Sequence, residues 1–585
     1  MCGIAGIINK RANSFDMRDC LDSLQQSLYH RGPDDSGEFR AGRYGFAHRR
    51  LSIVDRAGGH QPIFNEDGSL GIIYNGEVYN YKILRGELEG KGYRFHTNTD
   101  TEVILKAFEE SGVDSFDKFN GMFAFCIWNL KEDVVYLVRD CFGIKPLYIY
   151  EDGTRLIFSS ELKGLLGIDG LDFSLDPAGF QDYLMFRYVQ APYTFFSKIR
   201  RLEAGTYLEI KKGQSSQYRY WDVSYSSPYP YPDAVEARNE LLIKIHNAVK
   251  SQLMGEVPIG VLLSGGVDSS AIAYFVHKLG ADLTTFNIGF PEVNEFQYSR
   301  SVAKKYGLKH VEILTTREEL ADNLDSVISA LDEPIADPAC FPLYILAREL
   351  KKHVTVVLSG EGGDELFAGY PQYSNLLKEG VSYSRRFDNF LQKSWYFRNY
   401  LDFLNDPSIP PHPMRFRKYF EEQPLLNGML SYDMKTWMPE NLMMKADKIM
   451  MAHSLEGRFP FLDREVFRFA SALPQAYKLN LKEGISKWIL KDAIKPYLPK
   501  SIVQRPKMGF TVPVAELLED FKPLIVATCE NARGSNISEV LNIGHIRTFV
   551  HGYYKKGAVT PIQIWTLFVL LYWFETNKKC YNSEE

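Results

Sequence analysis

One stretch decides the fold of the second half of the chain: Ile259-Gly260-Val261-Leu262-Leu263-Ser264-Gly265-Gly266-Val267-Asp268-Ser269-Ser270. Its first five residues do not alternate between apolar and polar, which predicts a strand buried on both faces of a parallel sheet. A helical pattern follows from Ala271 to Leu279. Between them, glycines let backbone N–H groups close around an anion, and the start of a helix favours the same charge. An ordinary turn explains Ser-Gly-Gly alone, but the whole string predicts a phosphate-binding loop in an α/β parallel-sheet domain.

This loop is not a Walker loop, because no Lys-Ser or Lys-Thr pair follows the glycines. It resembles the pyrophosphate-binding loop, Ser-Gly-Gly-x-Asp-Ser, of the ATP pyrophosphatase family. The resemblance implies that ATP is cleaved to AMP and pyrophosphate, that a carboxylate or carbonyl oxygen is adenylated, and that a nitrogen nucleophile then displaces AMP. The carboxylate of Asp268 can hold Mg²⁺. A second site must therefore supply the nitrogen.

The composition is that of a globular protein with several domains. The chain has 585 residues, of which 45% are hydrophobic and 24% charged. A net charge of -5 gives no indication of a nucleic-acid or membrane partner. The seven cysteines form no CxxC pair, so neither a disulfide framework nor a zinc site is predicted, and a cytoplasmic location is expected. No signal peptide is expected, and the apolar run at 567–574 predicts a buried helix face rather than a membrane span.

The amino-terminal end of the chain offers a candidate nucleophile. Methionine before a small residue is normally removed, and its loss would leave Cys2 with both a thiol and a free α-amine. The amine's unperturbed pKa of roughly 7.7–8.0 lets it act as a general base at neutral pH. A bare Met-Cys is more often just a small residue at position 2. The interpretation therefore depends on the segments that follow.

Those segments are Cys2–Gly6, His30–Asp34, Arg50–Asp55, Tyr74–Asn80 and Thr99–Glu102. Together they resemble the class II glutamine amidotransferase domain over roughly residues 2–205. The resemblance implies an α+β N-terminal-nucleophile fold, a four-layer αββα sandwich, that hydrolyses glutamine to glutamate and ammonia.

The resemblance also assigns residues of the glutamine site. Arg50 can bind the α-carboxylate of glutamine bidentately, and Asp100 can pair with its α-ammonium. The family forms its oxyanion hole from an Asn side chain and the next Gly N–H, here Asn75 and Gly76, although Asn-Gly alone equally predicts a type I′ hairpin turn. The implied glutamine-binding residues are Arg50, Leu51, Ser52, Ile53, Val54, Asn75, Gly76, Glu77 and Asp100.

A segment rich in Ser, Tyr and Pro, Gln214–Asp233, predicts no regular structure and marks the domain boundary. We therefore expect a glutaminase domain at 2–205, a linker at 206–233 and an ATP pyrophosphatase domain at 234–585. Helical periodicity runs from Ala234 to Leu253. Two further strands, Thr284–Phe290 and Val354–Leu358, are expected to end beside the phosphate-binding loop, since open parallel sheets bind ligands at that edge.

The segment after the last of these strands, Ser359–Phe367, completes a match to the glutamine-hydrolysing asparagine synthetase family. The family assigns Glu361 to forming the acyl-adenylate and handling the incoming ammonia. It assigns Asp364 to a second magnesium-pyrophosphate contact opposite Asp268, and Lys487 to the α-phosphate or leaving pyrophosphate. The implied ATP-binding residues are Leu262, Ser264, Gly265, Gly266, Asp268, Ser269, Ser270, Ile288, Ser359 and Gly360.

The resulting hypothesis is that the chain uses glutamine, ATP and Mg²⁺ to convert L-aspartate to L-asparagine through β-aspartyl-AMP. One alternative is a sugar amidotransferase acting on a uronic acid, and another is an inactive scaffold or nitrogen sensor. Two segments leave the acceptor open. Val293–Phe296 has one acid where the family often has a pair, and the basic residues of Arg505–Phe510 suit phosphate contacts and surface charges equally. A homodimer is usual in the family.

Overall fold

The computed structural model describes residues 2–10, 17–225, 233–380, 382–408, 412–505, 512–555 and 559–578. An antiparallel, layered unit comes first. Its strands are β1 (Gly3–Asn9), β2 (Asp35–Ala41), β3 (Tyr44–Arg50), β4 (Ile63–Phe64), β5 (Leu70–Val78), β6 (Gly121–Asn129), β7 (Val134–Arg139), β8 (Tyr148–Glu151), β9 (Arg155–Ser159), β10 (Ile199–Arg201), β11 (Thr206–Lys211) and β12 (Gln214–Arg219). Its helices are α1 (Arg18–Ser27), α2 (Tyr81–Gly90), α3 (Asp100–Ser111), α4 (Leu162–Leu166) and α5 (Pro177–Phe186).

The strands form two stacked antiparallel sheets, in the orders β10-β8-β9-β1-β3-β2 and β12-β11-β7-β6-β5-β4. Side chains of both sheets share one core, to which β1 contributes Ile4 and β6 contributes Trp128. The opposite face of β1 presents Ala5 and Ile7 to the core beneath α1, as the alternation of a strand requires. Helix α3 covers the outer face of the second sheet. The predicted αββα sandwich is confirmed.

The sandwich extends beyond the predicted end at residue 205. The predicted linker includes residues 206–219, but these residues form strands β11 and β12 and extend the second sheet, with β11 paired to β7. Leu208 and Ile210 of β11 are buried in the core between the sheets. Strand β12 is an edge strand with mostly exposed side chains. Its polar composition is therefore typical of a loop as well, and the sequence pattern does not identify it as a strand. The centre of the predicted linker, 226–232, lies outside the described residues.

A parallel-sheet unit follows. Its elements through the last long strand are α6 (Ala234–Gln252), β13 (Ile259–Leu262), α7 (Val267–Lys278), β14 (Thr284–Gly289), α8 (Phe296–Tyr306), β15 (Lys309–Leu314), α9 (Arg317–Asp322), α10 (Leu324–Leu331), α11 (Cys340–Leu350), β16 (Val356–Leu358), α12 (Gly363–Phe367), α13 (Pro371–Lys378), α14 (Arg386–Ser394), α15 (Arg417–Glu422), α16 (Leu425–Lys435), α17 (Met444–Met451) and β17 (Glu456–Arg458). The remainder are α18 (Arg464–Ala472), α19 (Gln475–Lys478), β18 (Leu479–Asn480), β19 (Ile485–Ser486), α20 (Trp488–Ile494), α21 (Lys500–Gln504), α22 (Val514–Asp520), α23 (Lys522–Asn531), α24 (Ile537–Val540), α25 (Ile543–Tyr554) and α26 (Pro561–Thr576).

Five parallel strands, in the order β15-β14-β13-β16-β17, form the sheet of this unit. The predicted α/β parallel sheet is confirmed, with β13 at its centre. Helix α7 begins at Val267, four residues before the predicted start, so Asp268 lies in its first turn, where a negative charge is favourable. Helix α26 buries the apolar run at 567–574, as predicted. Within the described part of the chain, every helix is too short or too polar to cross a membrane.

Candidate active sites

The first candidate site lies at the start of β1, where Cys2 is buried with 8% of its surface exposed. The backbone N–H of Cys2 donates a hydrogen bond to Asn75 Oδ1 at 3.0 Å. Its carbonyl accepts one from Arg31 Nε, also at 3.0 Å. Burial raises the pKa of the Cys2 thiol, and the backbone N–H of Leu51 and the charge of Arg50 act in the opposite direction. The hydrogen bonds thus hold the backbone of Cys2 in place, and the thiol needs a base to become a nucleophile.

Asn75 and Gly76 lie inside β5, paired with Ala124 and Phe123 of β6, so the alternative of a hairpin turn is excluded. Asn75 Nδ2 is buried and has no hydrogen-bond partner among the described residues. Gly76 has a φ of +153°, and a Cβ there would lie 2.1 Å from the carbonyl oxygen of Met122. The strand therefore requires glycine at this position, next to an amide donor that a substrate oxygen can use.

Two charged residues that line the pocket are held by hydrogen bonds to two different segments of the chain. The Arg50 guanidinium donates to the carbonyls of Val54, Asp55 and Arg56 at 2.8–3.2 Å. Asp100 accepts hydrogen bonds from Tyr74 Oη at 2.8 Å and from the Val78 N–H at 2.9 Å.

Burial raises the pKa of Asp100 to about 6. A cation and an acid are thus positioned to bind the two charged groups of an α-amino acid.

The structure brings together most of the residues predicted to bind glutamine. The pocket is lined by Cys2, Arg50, Leu51, Ile53, Val54, Gly59, Gln61, Tyr74, Gly76, Glu77, Thr99, Asp100 and Thr101. Ser52 and Asn75 are outside this set. The backbone N–H of Ser52 is bonded to Asp34, and Asn75 is hydrogen-bonded to Cys2, which does line the pocket. Gly59 and Gln61 were not predicted, because nothing in their local sequence marks them. Tyr74, Thr99 and Thr101 lie within the quoted motifs and were available as candidates.

The second candidate site is a cleft of about 320 Å³ at the carboxyl ends of β13, β14 and β16. The loop after β16 packs against the first turn of α7, since a Cβ on Gly360 would lie 2.8 Å from the Ser269 backbone nitrogen. The predicted site residues that line the cleft are Leu262, Ser264, Gly266, Asp268, Ser269, Ile288, Ser359, Gly360, Glu361, Asp364 and Lys487. Two predicted residues do not line it. Ser270 is fully buried in α7, and Gly265 directs its carbonyl to Arg505 at 3.2 Å.

Lys487 connects the two carboxylates predicted to hold a metal ion. Its Nζ lies 2.6 Å from Asp268 Oδ2 and 2.6 Å from Asp364 Oδ1. Asp268 Oδ1 is buried without a hydrogen-bond partner among the described residues. Among all the residues that the structure describes, no group of three or more His, Cys, Asp or Glu side chains is arranged to hold a metal ion. Two carboxylates completed by phosphate oxygens are a usual set for Mg²⁺, so the residues present fit that ion.

Several cleft residues were not predicted as ligands. Lys445 and Lys491 enter from α17 and α20, and Glu295 and Arg505 form an ion pair at the rim. Arg505 also stacks 4.1 Å from the ring centre of Tyr298. It is therefore a cleft residue rather than a surface charge, and the rest of its segment, 506–510, lies outside the described residues. The apolar lining is completed by Leu263, Val267, Phe286, Ala339, Pro342, Leu343, Leu346 and Ile502.

The two units meet through buried ion pairs. Asp447 of α17 lies 2.8 Å from Arg31 and 3.1 Å from Lys145, both of the first unit. Arg201 lies 2.9 Å from Glu440, in the π-helical turn before α17. All five side chains are almost fully buried, so separating the units would expose unpaired charges. The interface therefore fixes α17, and with it Lys445, relative to the first unit.

The sequence matches two family models. One, described as asparagine synthase, matches residues 240–575, and the other, described as a glutamine amidotransferase domain, matches residues 1–221. Asparagine synthetase (glutamine-hydrolyzing) 1 of Bacillus subtilis (strain 168) is 33% identical over 100% of this chain and 98% of its own length. A putative asparagine synthetase (glutamine-hydrolyzing) of Mycobacterium bovis is 31% identical, covering 98% and 97%. Asparagine synthetase B (glutamine-hydrolyzing) of Escherichia coli (strain K12) is 30% identical, covering 87% and 82%.

Proposed function

The chain belongs to the asparagine synthase family as a glutamine-hydrolysing carbon–nitrogen ligase, and we propose that it amidates L-aspartate to L-asparagine through β-aspartyl-AMP. Glutamate, AMP and pyrophosphate are the other products. The division of labour follows the two units. Residues 2 to about 225 hydrolyse glutamine, and residues from 233 onward activate the acceptor with ATP.

In the first half-reaction, the Cys2 thiolate attacks the carboxamide carbon of glutamine. The free α-amine of Cys2, after removal of Met1, takes the thiol proton and returns a proton to the departing ammonia. Asn75 Nδ2 and the Gly76 N–H donate to the oxyanion that forms on the amide oxygen. Water then hydrolyses the thioester to glutamate. Support comes from the buried Asn75 donor that has no partner in the described protein.

In the second half-reaction, the acceptor carboxylate attacks the α-phosphorus of ATP and pyrophosphate leaves. Leu262 and Ile288 contact the adenine, and Ser264, Gly266 and Ser269 bind phosphate oxygens. Asp268 and Asp364 would hold Mg²⁺, which supplies charge neutralisation to the phosphates when bound. Lys487 stabilises the leaving pyrophosphate, and ammonia attacks the acyl carbon near Glu361 to displace AMP.

One observation carries the proposal. A pocket with a candidate nucleophile and a cleft suited to phosphate occur in the same chain, and buried ion pairs hold together the two units that contain them. Neutral ammonia is the nucleophilic species, and a fixed interface can keep it from the solvent. Glu361 supports a small acceptor, because its longer side chain reaches farther into the cleft than an aspartate would.

The proposal is tested by supplying amide-¹⁵N glutamine and ATP with either L-aspartate or a nucleotide-linked uronate. We expect ¹⁵N in the side-chain amide of asparagine, with one AMP formed for each labelled product. If the label is found only in a uronamide, the acceptor is a sugar uronate and the assignment of L-aspartate is wrong. No AMP formation with either acceptor would identify an inactive relative.

A further inference from the structure

The cations of the ATP cleft do not all have the same surroundings. Lys487, at the N-cap of α20, lies between the two carboxylates. Lys491 lies within α20, where burial and, after it, the charge of Lys487 lower its pKa. Arg505 is paired with Glu295. Lys445 instead enters from α17, which packs on α11. The roles proposed above for the phosphate-binding loop and for the metal-binding carboxylates do not involve Lys445, so its function in the cleft is still to be assigned.

Lys445 carries a buried ammonium group that has more N–H donors than the one used in its hydrogen bond to Asp337. It is 7% exposed, and its Nζ lies 2.8 Å from Asp337 Oδ2. An ammonium has three donors, and Asp337 is the hydrogen-bond partner found for it among the described residues. Burial lowers the pKa of Lys445, but Asp337 and Glu361 more than offset this and keep the group charged. Lys445 lines the cleft, where an anionic ligand can accept hydrogen bonds from its remaining donors.

The chemistry of the acceptor identifies that anion. L-Aspartate carries two carboxylates, and its β-carboxylate must point at the α-phosphorus of ATP. Its α-carboxylate then needs a cation of its own, away from the pyrophosphate. A nucleotide-linked uronate has a single carboxylate on its sugar, which the reaction consumes. Its remaining negative charge lies on the diphosphate at the opposite end of the sugar, so it has no second carboxylate near the reacting group for Lys445 to bind.

We propose that Lys445 binds the α-carboxylate of an α-amino-acid acceptor and so selects this substrate class. This inference rests on the proposed function of the same cleft. The rigid position of α17 supports it, since Asp447 and Lys448 on the same helix form buried ion pairs and hydrogen bonds with the first unit and with Asp332. The ammonium is therefore held before the acceptor arrives, which lowers the cost of binding.

The test compares L-aspartate with its α-amide, which keeps the reacting β-carboxylate and lacks the α-carboxylate. AMP formation is measured with ammonium as the nitrogen donor, so the glutamine site does not contribute. The full-length enzyme is expected to prefer L-aspartate in kcat/KM by roughly 10- to 100-fold, the range of one charged hydrogen bond. Lys445→Gln should reduce the preference to about threefold or less, mainly through the KM of L-aspartate. Lys445→Arg should retain most of it.

Lys491→Gln is the matched control, because it removes a lysine from the same cleft. It should lower activity with both acceptors alike and leave the preference unchanged. Glutaminase activity of each variant reports whether the chain is folded. The inference is overturned if Lys445→Gln keeps the full preference, or if Lys491→Gln abolishes it equally. A wild-type enzyme that forms no AMP with L-aspartate would overturn the proposed function as well.

Discussion

Arg458 Nη2 lies 3.4 Å from Glu77 Oε1, across the interface between the two units. Glu77 lines the glutamine pocket, and the carbonyl of Arg458 accepts a hydrogen bond from the Ser359 N–H at 2.8 Å, at the edge of the ATP cleft. The guanidinium is fully buried and also binds Glu456 at 2.6 Å. One residue therefore contacts an element of each candidate site, which makes it a structural link between the two half-reactions.

Replacing Arg458 by Lys is expected to uncouple the reactions. A lysine ammonium cannot reproduce the planar fork that holds Glu77 and Glu456 together, so both site elements loosen while the charge is kept. The measurement is the amount of glutamate released for each asparagine formed, which should rise several-fold. Arg468→Lys is the control, since Arg468 is an exposed arginine paired with Glu465 at 2.7 Å. An unchanged ratio in Arg458→Lys would show that this contact does not couple the sites.

Asn75→Ala should lower the glutaminase kcat by about 100- to 1000-fold, because it removes one oxyanion donor. Synthesis with free ammonium should continue, as the second unit is untouched. Cys2→Ala provides the reference for complete loss, and a retained Met1 should act in the same way by blocking the α-amine. Asn75→Asp keeps the acceptor for the Cys2 N–H and loses the donor, so it should be as inactive as the alanine variant. Normal activity in Asn75→Asp would exclude the oxyanion role.

In this chain, the local sequence predicts buried strands and turns well, but it predicts edge strands of the sheets less well. The short apolar run before Ser264 predicts a buried strand, and the glycines after it predict a turn. Both predictions depend only on local sequence, so this region was predictable. Strand β12 was not, because an edge strand needs few apolar residues and its Ser-rich sequence looks like a linker. Its pairing with β11 depends on a neighbour that the composition does not reveal.

The candidate sites show the same limit. Residues within contiguous motifs, such as Cys2 and Asp364, line the pockets as expected from their segments. Lys445 and the Arg458–Glu77 contact were not predicted, because they depend on how α17 and β17 pack against the first unit. A lysine in a helical pattern looks like a solvent-exposed residue until the packing partner is known.

Stability should decrease as the pH rises because of Asp433. This carboxyl is 4% exposed, and burial raises its pKa to about 7, although Tyr373 and Gln372 donate hydrogen bonds to it. The unfolded value is about 3.9, so the folded state binds more protons between the two values. The free energy of unfolding therefore falls across that window, by up to about 4 kcal/mol.

Asp433→Asn keeps an acceptor for Tyr373 and removes the ionisation. Its Tm should exceed the wild-type Tm at pH 8, and the difference should shrink towards pH 5. Comparing the two proteins at each pH removes contributions from other groups. A Tm difference that does not change with pH would contradict the assignment.

Asp364→Asn is expected to reduce ATP turnover strongly and to leave glutamine hydrolysis near its wild-type rate. Asp364 and Asp268 both bind the Lys487 ammonium at 2.6 Å, and each provides a hard oxygen that suits Mg²⁺. Removing one charge should raise the Mg²⁺ concentration needed for half-maximal AMP formation, whereas a loss through misfolding would not be relieved by added metal. Asp268→Asn should behave alike, and Asp492→Asn, which removes an acid paired with Arg238 at 2.9 Å, should not change the Mg²⁺ requirement. Equal loss of both activities in Asp364→Asn, without rescue by Mg²⁺, would argue against a metal site between these carboxylates.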